Sequence, residues 1–274
     1  MSFGSRMEVL KFLESIRNPA LTMFFRFWTL FGEETVCIVI ICIFYWCINK
    51  KFACKMIYTL LFSGLLVQTL KITFRVERPW IKDPDFHAVE AVLPKATGYS
   101  FPSGHTQTAA AVFMPLALYF KKYGLKILCV FIFLMVGLSR MYLGVHTPVD
   151  VIVSIALTVG IAFIVDYIQK FGWIIILAAF VVSIFIGEPD LIKIAALGIG
   201  AVGGLYLEKK WINFEVKFNP LKIIIGLAVL YVLKSFIHSD NLLVITAQYL
   251  SMALWITALY PLLVKTLRPL HRRN

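Results

Sequence analysis

The sequence predicts an all-α, polytopic membrane protein: a helical bundle of about nine transmembrane helices preceded by an amphipathic helix. Three observations predict it. Of 274 residues, 60% are hydrophobic and only 15% charged, with mean hydropathy +0.83, whereas soluble domains carry about 25% charged residues. Apolar runs with few or no charges recur, as at 36–48, 127–138 and 152–165, and several such runs in one chain mean several crossings. The basic residues are also distributed unevenly between alternate loops, as the insertion bias of membrane proteins requires.

In chain order, residues 1–32 read as an interfacial segment. Met7, Leu10, Phe12, Leu13 and Ile16 alternate with Glu8, Lys11, Glu14 and Arg17, and Phe24, Phe25, Phe27 and Trp28 suit the headgroup boundary. Spans are expected at about 33–49, 56–77, 105–121, 125–140, 149–168, 171–187, 190–207, 220–238 and 241–264. If loop 50–55 is inside, then loops 121–126 and 208–222 and the C-terminal Arg268, Arg272 and Arg273 are inside too. The whole formal net charge of +12 then falls on that side. This places the C-terminus in the cytoplasm and the N-terminus outside, and it explains the basic balance without nucleic acid. No cleavable signal peptide is evident in residues 1–20, and no linker or repeat divides the chain. One domain is therefore expected over 1–274, with a catalytic core at 56–168 and additional spans over 171–264. Five cysteines show no metal-ligand spacing and read as small apolar packing residues.

Three polar clusters stand out against this apolar background. The first runs from Lys71 through Arg75 to Arg78-Pro79. At helical spacing Lys71 and Arg78 share one face, where two cations grip an oxyanion, and Pro79 ends the helix. The second is Pro102-Ser103-Gly104-His105 just before an apolar run. Ser103 is a plausible N-cap, Gly104 admits close backbone approach, and a helix start binds phosphate. His105 suits proton transfer near neutral pH. The third is Ser139-Arg140, then His146-Thr147-Pro148 and Asp150. His146 and Asp150, four apart at a helix start, favour a carboxylate–imidazole hydrogen bond that leaves the other ring nitrogen free to attack.

Taken together, Lys-x6-Arg-Pro, Pro-Ser-Gly-His and Ser-Arg-x5-His-x3-Asp resemble the three-part signature of the type 2 phosphatidic acid phosphatase superfamily. Every signature position is matched, most strongly over residues 56–168. The span count and the stretch Phe31-Gly-Glu-Glu34 further resemble the glucose-6-phosphatase and sphingosine-1-phosphate phosphatase subgroup. The resemblance implies a membrane phosphatase acting on a phosphomonoester or pyrophosphate of a lipid. It implies that His146 is the nucleophile, Asp150 its orienting partner and His105 the general acid and base. Lys71, Arg78, Ser103, Gly104 and Arg140 would bind the phosphate. With fixed cations in that role, no metal and no cofactor are expected. A lipid phosphate or lipid pyrophosphate and the bilayer are the expected partners. The expected location is a bacterial inner membrane with the active site on the extracytoplasmic face. A phosphotransferase using the same intermediate, and a non-catalytic lipid-binding or transport protein, remain as alternatives.

Overall fold

The computed structural model describes residues 3–235 and 241–267. Arg268, Arg272, Arg273 and the end of the expected 220–238 span lie outside the described residues. Among the described residues, regular structure is entirely helical: α1 Phe3–Ser15, α2 Pro19–Thr29, α3 Glu34–Ile43, α4 Lys50–Phe74, α5 Pro79–Lys82, α6 Gly104–Tyr119, α7 Tyr123–Tyr142, α8 Pro148–Ile168, α9 Gly172–Ile186, α10 Pro189–Leu207, α11 Pro220–Ser235, α12 Leu242–Leu254 and α13 Tyr260–Leu267. Local chemistry sets the starts. Asn18 caps α2 by accepting from Leu21 N at 3.0 Å, with Pro19 in the first turn. Pro148 opens α8 and Pro189 opens α10. The chain forms two compact units: residues up to Ile38 with Phe62–Ile164, and Val39–Leu61 with the residues from Val165 onward.

In the first unit, α2 and α7 are joined by Phe25 stacked on Tyr142 at 4.2 Å between centroids. This pair belongs to an apolar cluster with Val92, Ala96, Leu143 and Val145. The cluster packs beneath the loop that carries His146. A second cluster joins Met7 and Leu10 of α1 to Phe86. Glycines permit the closest approaches. A Cβ on Gly32 would meet His105 O at 2.7 Å, and one on Gly144, at φ +80, would meet Ala88 Cα at 3.0 Å.

In the second unit, α10 packs on α12 and its extension through small residues. Cβ atoms on Gly200 and Gly204, one turn apart, would collide with Leu250 O and with Thr257. This is the small-x-x-x-small device by which membrane helices approach. Trp46 and Tyr45 are fully buried and donate to Ile256 O and Thr257 O at 2.9 and 3.0 Å.

Two expectations change. Residues 1–32 form two helices rather than one interfacial helix, and α1 buries Met7 and Leu10 against protein while Phe12 stays exposed. Among the described residues, five helical stretches are long and apolar enough to cross a bilayer by length and composition: Lys50–Lys82, Tyr123–Tyr142, Pro148–Ile186, Pro189–Ile212 and Leu242–Leu267. A sixth is added if the pair Pro19–Gly32 and Glu34–Ile48, bent by 51°, is one crossing. That is fewer than the nine read from apolar runs. The expected 105–121 span is a helix of 16 residues, short of the roughly 20 that a hydrocarbon core commonly takes, and α11 is described as far as Ser235. The expected 149–168 and 171–187 spans join in one helical stretch with a 3₁₀ turn at Gln169–Phe171.

Candidate active site

All eight residues expected in the site belong to the first unit. The arrangement begins with the turn into α8. Thr147 N donates to Asp150 Oδ2 at 2.8 Å, and Asp150 N points back to Thr147 Oγ1 at 3.5 Å. This reciprocal capping fixes the carboxylate at the helix start. Ser100 Oγ donates to the same oxygen at 2.6 Å, and His146 Nδ1 lies 3.5 Å from it. His146 and Asp150 are each 2% exposed.

The other face of the imidazole meets Arg78, whose Nη1 is 3.0 Å from His146 Nε2. Arginine only donates, so Nε2 must present its lone pair and the ring proton sits on Nδ1, towards Asp150. Arg78 is itself locked by Thr97 O at 2.7 Å, Val145 O at 2.9 Å and Gly98 O at 3.1 Å. Burial holds the His146 pKa well below the ordinary histidine value; the charges of Arg78 and Lys71 act in the same direction and Asp150 opposes them. The ring is therefore neutral at neutral pH, as a nucleophile must be.

Lys71 and Arg78 do not share a helix face. The chain leaves α4 after Phe74, because Arg75 adopts a left-handed conformation at φ 46. Residues 76–78 run non-helically, with Val76 O accepting from Ser100 N at 2.7 Å. Arg78 thus arrives on a connecting segment, and Pro79 opens the short α5 rather than ending α4. Lys71, near the end of α4, donates to Tyr99 O at 2.5 Å. Arg75 is exposed and bonds only locally, to Ile72 O at 3.1 Å.

Ser103 stands at the N-cap position of α6, but its hydroxyl is buried against Thr106 Oγ1 at 2.9 Å and caps no backbone amide. Its N–H donates to Asp150 O at 3.1 Å and its carbonyl accepts from Ser154 at 2.8 Å. The start of α6 is therefore tied to α8. A Cβ on Gly104 would meet nothing within 4 Å, so this backbone faces open space. His105 in the first turn of α6 and Arg140 from α7 line a cavity of ≈ 490 Å³ together with Arg26, Thr29 and Glu33. Arg140 is 2% exposed and donates to Thr29 Oγ1 at 2.9 Å, and its Nε has no hydrogen-bond partner.

Sequence reasoning missed two supporting groups. Ser100 lies inside the Tyr99–Pro102 stretch and was legible only as a turn residue. Thr29 is 111 positions from the arginine it binds, and no local pattern announces such a contact. Chemically, a neutral imidazole with an oriented lone pair sits beside two cations, Arg78 and Lys71, and a helix start. That arrangement suits attack on a phosphorus atom.

Residues 52–174 match the PAP2 superfamily, and residues 192–272 match the "PAP2 superfamily phosphatase, transmembrane extension". All eight site residues fall within the first match. A lipid A 1-phosphatase of Rhizobium etli is 36% identical over 99 residues, which are 36% of this chain and 42% of that protein. The undecaprenyl-diphosphatase BcrC of Bacillus subtilis is 32% identical over 103 residues, 37% of this chain and 50% of that protein. The chain thus spans half or less of the length of these two relatives. The crystal structure of Aquifex aeolicus LpxE aligns with TM-score 0.54 at 27% identity, covering 61% of this chain and 98% of that one.

Proposed function

Because this chain belongs to the PAP2 superfamily, we infer that it is a membrane phosphatase that removes phosphate from a lipid phosphomonoester or lipid diphosphate through a phosphohistidine on His146. The observation that carries this reading is the contact of Arg78 Nη1 with His146 Nε2 at 3.0 Å. It aims the imidazole lone pair at the position where a bound phosphate would replace the guanidinium contact.

In this mechanism Arg78 turns from Nε2 to an equatorial phosphate oxygen as the substrate enters. Lys71, Arg140 and the amides at the start of α6 take up the remaining charge, with Ser103 holding α6 against α8. His146 Nε2 attacks phosphorus, the P–O bond to the leaving group breaks, and His105 gives that oxygen its proton. Asp150, charged and bonded by Ser100, draws closer to Nδ1–H as the ring becomes cationic; such bonds are often long until the substrate binds. His105 then takes a proton from water, whose oxygen attacks phosphorus and releases His146 and inorganic phosphate.

The named relatives act on lipid A and on undecaprenyl diphosphate, which supports an amphiphilic substrate. The charge bias of the loops supports an active site on the extracytoplasmic face. Purified protein is expected to release phosphate from such lipids, to be inhibited by vanadate, which mimics five-coordinate phosphorus, and to keep its rate in excess EDTA. Loss of activity in EDTA with recovery on adding Mg²⁺ would contradict the assignment of charge neutralisation to Lys71, Arg78 and Arg140.

A further inference from the structure

The second unit contains a cavity of ≈ 1000 Å³ that shares no residue with the phosphatase site. Its wall combines lysines with aromatic and aliphatic surface. Lys50 and Lys51 stand at the start of α4, Lys209 follows the end of α10, and Trp173, Tyr206 and Val202 supply apolar walls. Glu208, also in the wall, is 4% exposed and already satisfied. It accepts from Lys50 Nζ at 2.6 Å and from Phe214 N at 3.2 Å. Lys50 is therefore neutralised. Lys51 and Lys209 are exposed, and neither has a carboxylate partner among the described residues.

Two uncompensated cations thus flank a largely apolar cleft at helix ends, where Trp173 and Tyr206 stand exposed. Aromatic rings in such positions mark the membrane interface, and lysines there attract anionic headgroups. The cleft is open along α10 as well. A Cβ on Gly203 would meet no atom within 4 Å, whereas its neighbour Gly204 is tightly packed. An acyl chain can lie in the gap that Gly203 leaves.

We propose that this cavity is a binding site for an anionic glycerophospholipid, whose headgroup phosphate lies between Lys51 and Lys209 and whose acyl chain runs over Gly203 and against Trp173. The lipid comes from the leaflet that faces these lysine-bearing helix ends. It is a bound lipid and not a substrate, because no histidine is among the described residues that line the cavity.

The test is native mass spectrometry of the full chain, released from detergent after titration with phosphatidylglycerol or phosphatidylcholine of the same acyl composition. The wild type is expected to retain phosphatidylglycerol in preference by about thirtyfold, the scale that two interfacial lysines supply. In Lys51→Gln/Lys209→Gln the preference falls to near unity. In Gly203→Leu, whose Cβ meets no atom within 4 Å and whose side chain enters the gap, retention of both lipids falls. Hydrolysis of a water-soluble phosphomonoester should be unchanged in all three proteins, so loss of the lipid site is distinguishable from loss of catalysis. An undiminished preference in the double lysine variant would overturn the proposal. So would full retention in Gly203→Leu, or displacement of the lipid by millimolar inorganic phosphate.

Discussion

Each unit of this protein buries charge, and the two do so in opposite ways. In the second unit the buried charges are spent on the fold. Glu208 is matched by Lys50, and Lys222, 7% exposed, donates to Trp46 O at 2.5 Å. In the first unit Arg78, Arg140, His146 and Asp150 are each no more than 5% exposed. There the cations Lys71, Arg78 and Arg140 outnumber the acids Asp150 and Glu33, and Arg140 Nε and His146 Nδ1 lack hydrogen-bond partners among the described residues. Buried charge is costly unless paired. A paired set therefore reads as architecture, and a set with surplus positive charge reads as a place prepared for an anion. Burial alone would have marked both units alike.

The contrast predicts where substitutions act. His146→Ala should lower phosphate release by about 10⁴-fold or more in protein that still melts cooperatively, since it removes the attacking atom. Retention of more than a few per cent of the rate by purified, folded protein would show that another group attacks. Arg140→Ala should cost about 10²- to 10³-fold in kcat/KM, the scale of one preorganised donor to transition-state charge. Arg140→Lys should recover only part of this, because the ammonium keeps the charge and loses the fork.

The second unit should answer in the other currency. Lys222→Met leaves Trp46 O without its buried donor and should destabilise the fold by about 1–3 kcal/mol. Its kcat, measured below the melting transition, should stay within about twofold of the wild type, the usual reach of a change outside the site. A large loss of kcat without loss of stability would erase the distinction between the units.

The smallest expected effect is on pH dependence. Burial, and then the charges of Arg78 and Lys71, hold His146 below its ordinary pKa. The neutral nucleophile is therefore lost only when the pH falls below that depressed value. The His146 limb of kcat/KM should lie on the acid side of an exposed histidine's titration. Arg78→Gln removes one depressing charge, so that limb should move to higher pH. A profile that stays fixed, or moves down, would mean that Arg78 does not act on the imidazole.

How much of this was legible depended on how local each relation is. His146 and Asp150 lie one helical turn apart at a Pro-initiated helix, so their pairing could be read from spacing alone. The same reasoning failed for Lys71 and Arg78. It carried a helical period across Arg75, a non-glycine residue at φ 46 that nothing in its neighbours requires. The clasp of α1 and α2 over the catalytic unit was also hidden. It rests on Arg17 donating to Tyr142 O at 3.0 Å and on Arg140 reaching Thr29, contacts set by tertiary packing over more than a hundred positions. Apolar runs identified the helices well. Their lengths vary more than the runs suggested: α6 has 16 residues and α3 ten, and both are as apolar as a longer span.

The most direct measurement traps the intermediate. His105→Ala should slow the water step, so that rapid quenching of this variant with a ³²P-labelled aryl phosphate, whose leaving group departs without protonation, accumulates labelled protein. The label should be acid-labile and base-stable and should map to His146. Label on any other residue, or turnover by the wild type with no trapped phosphoprotein in either enzyme, would contradict a phosphohistidine at His146.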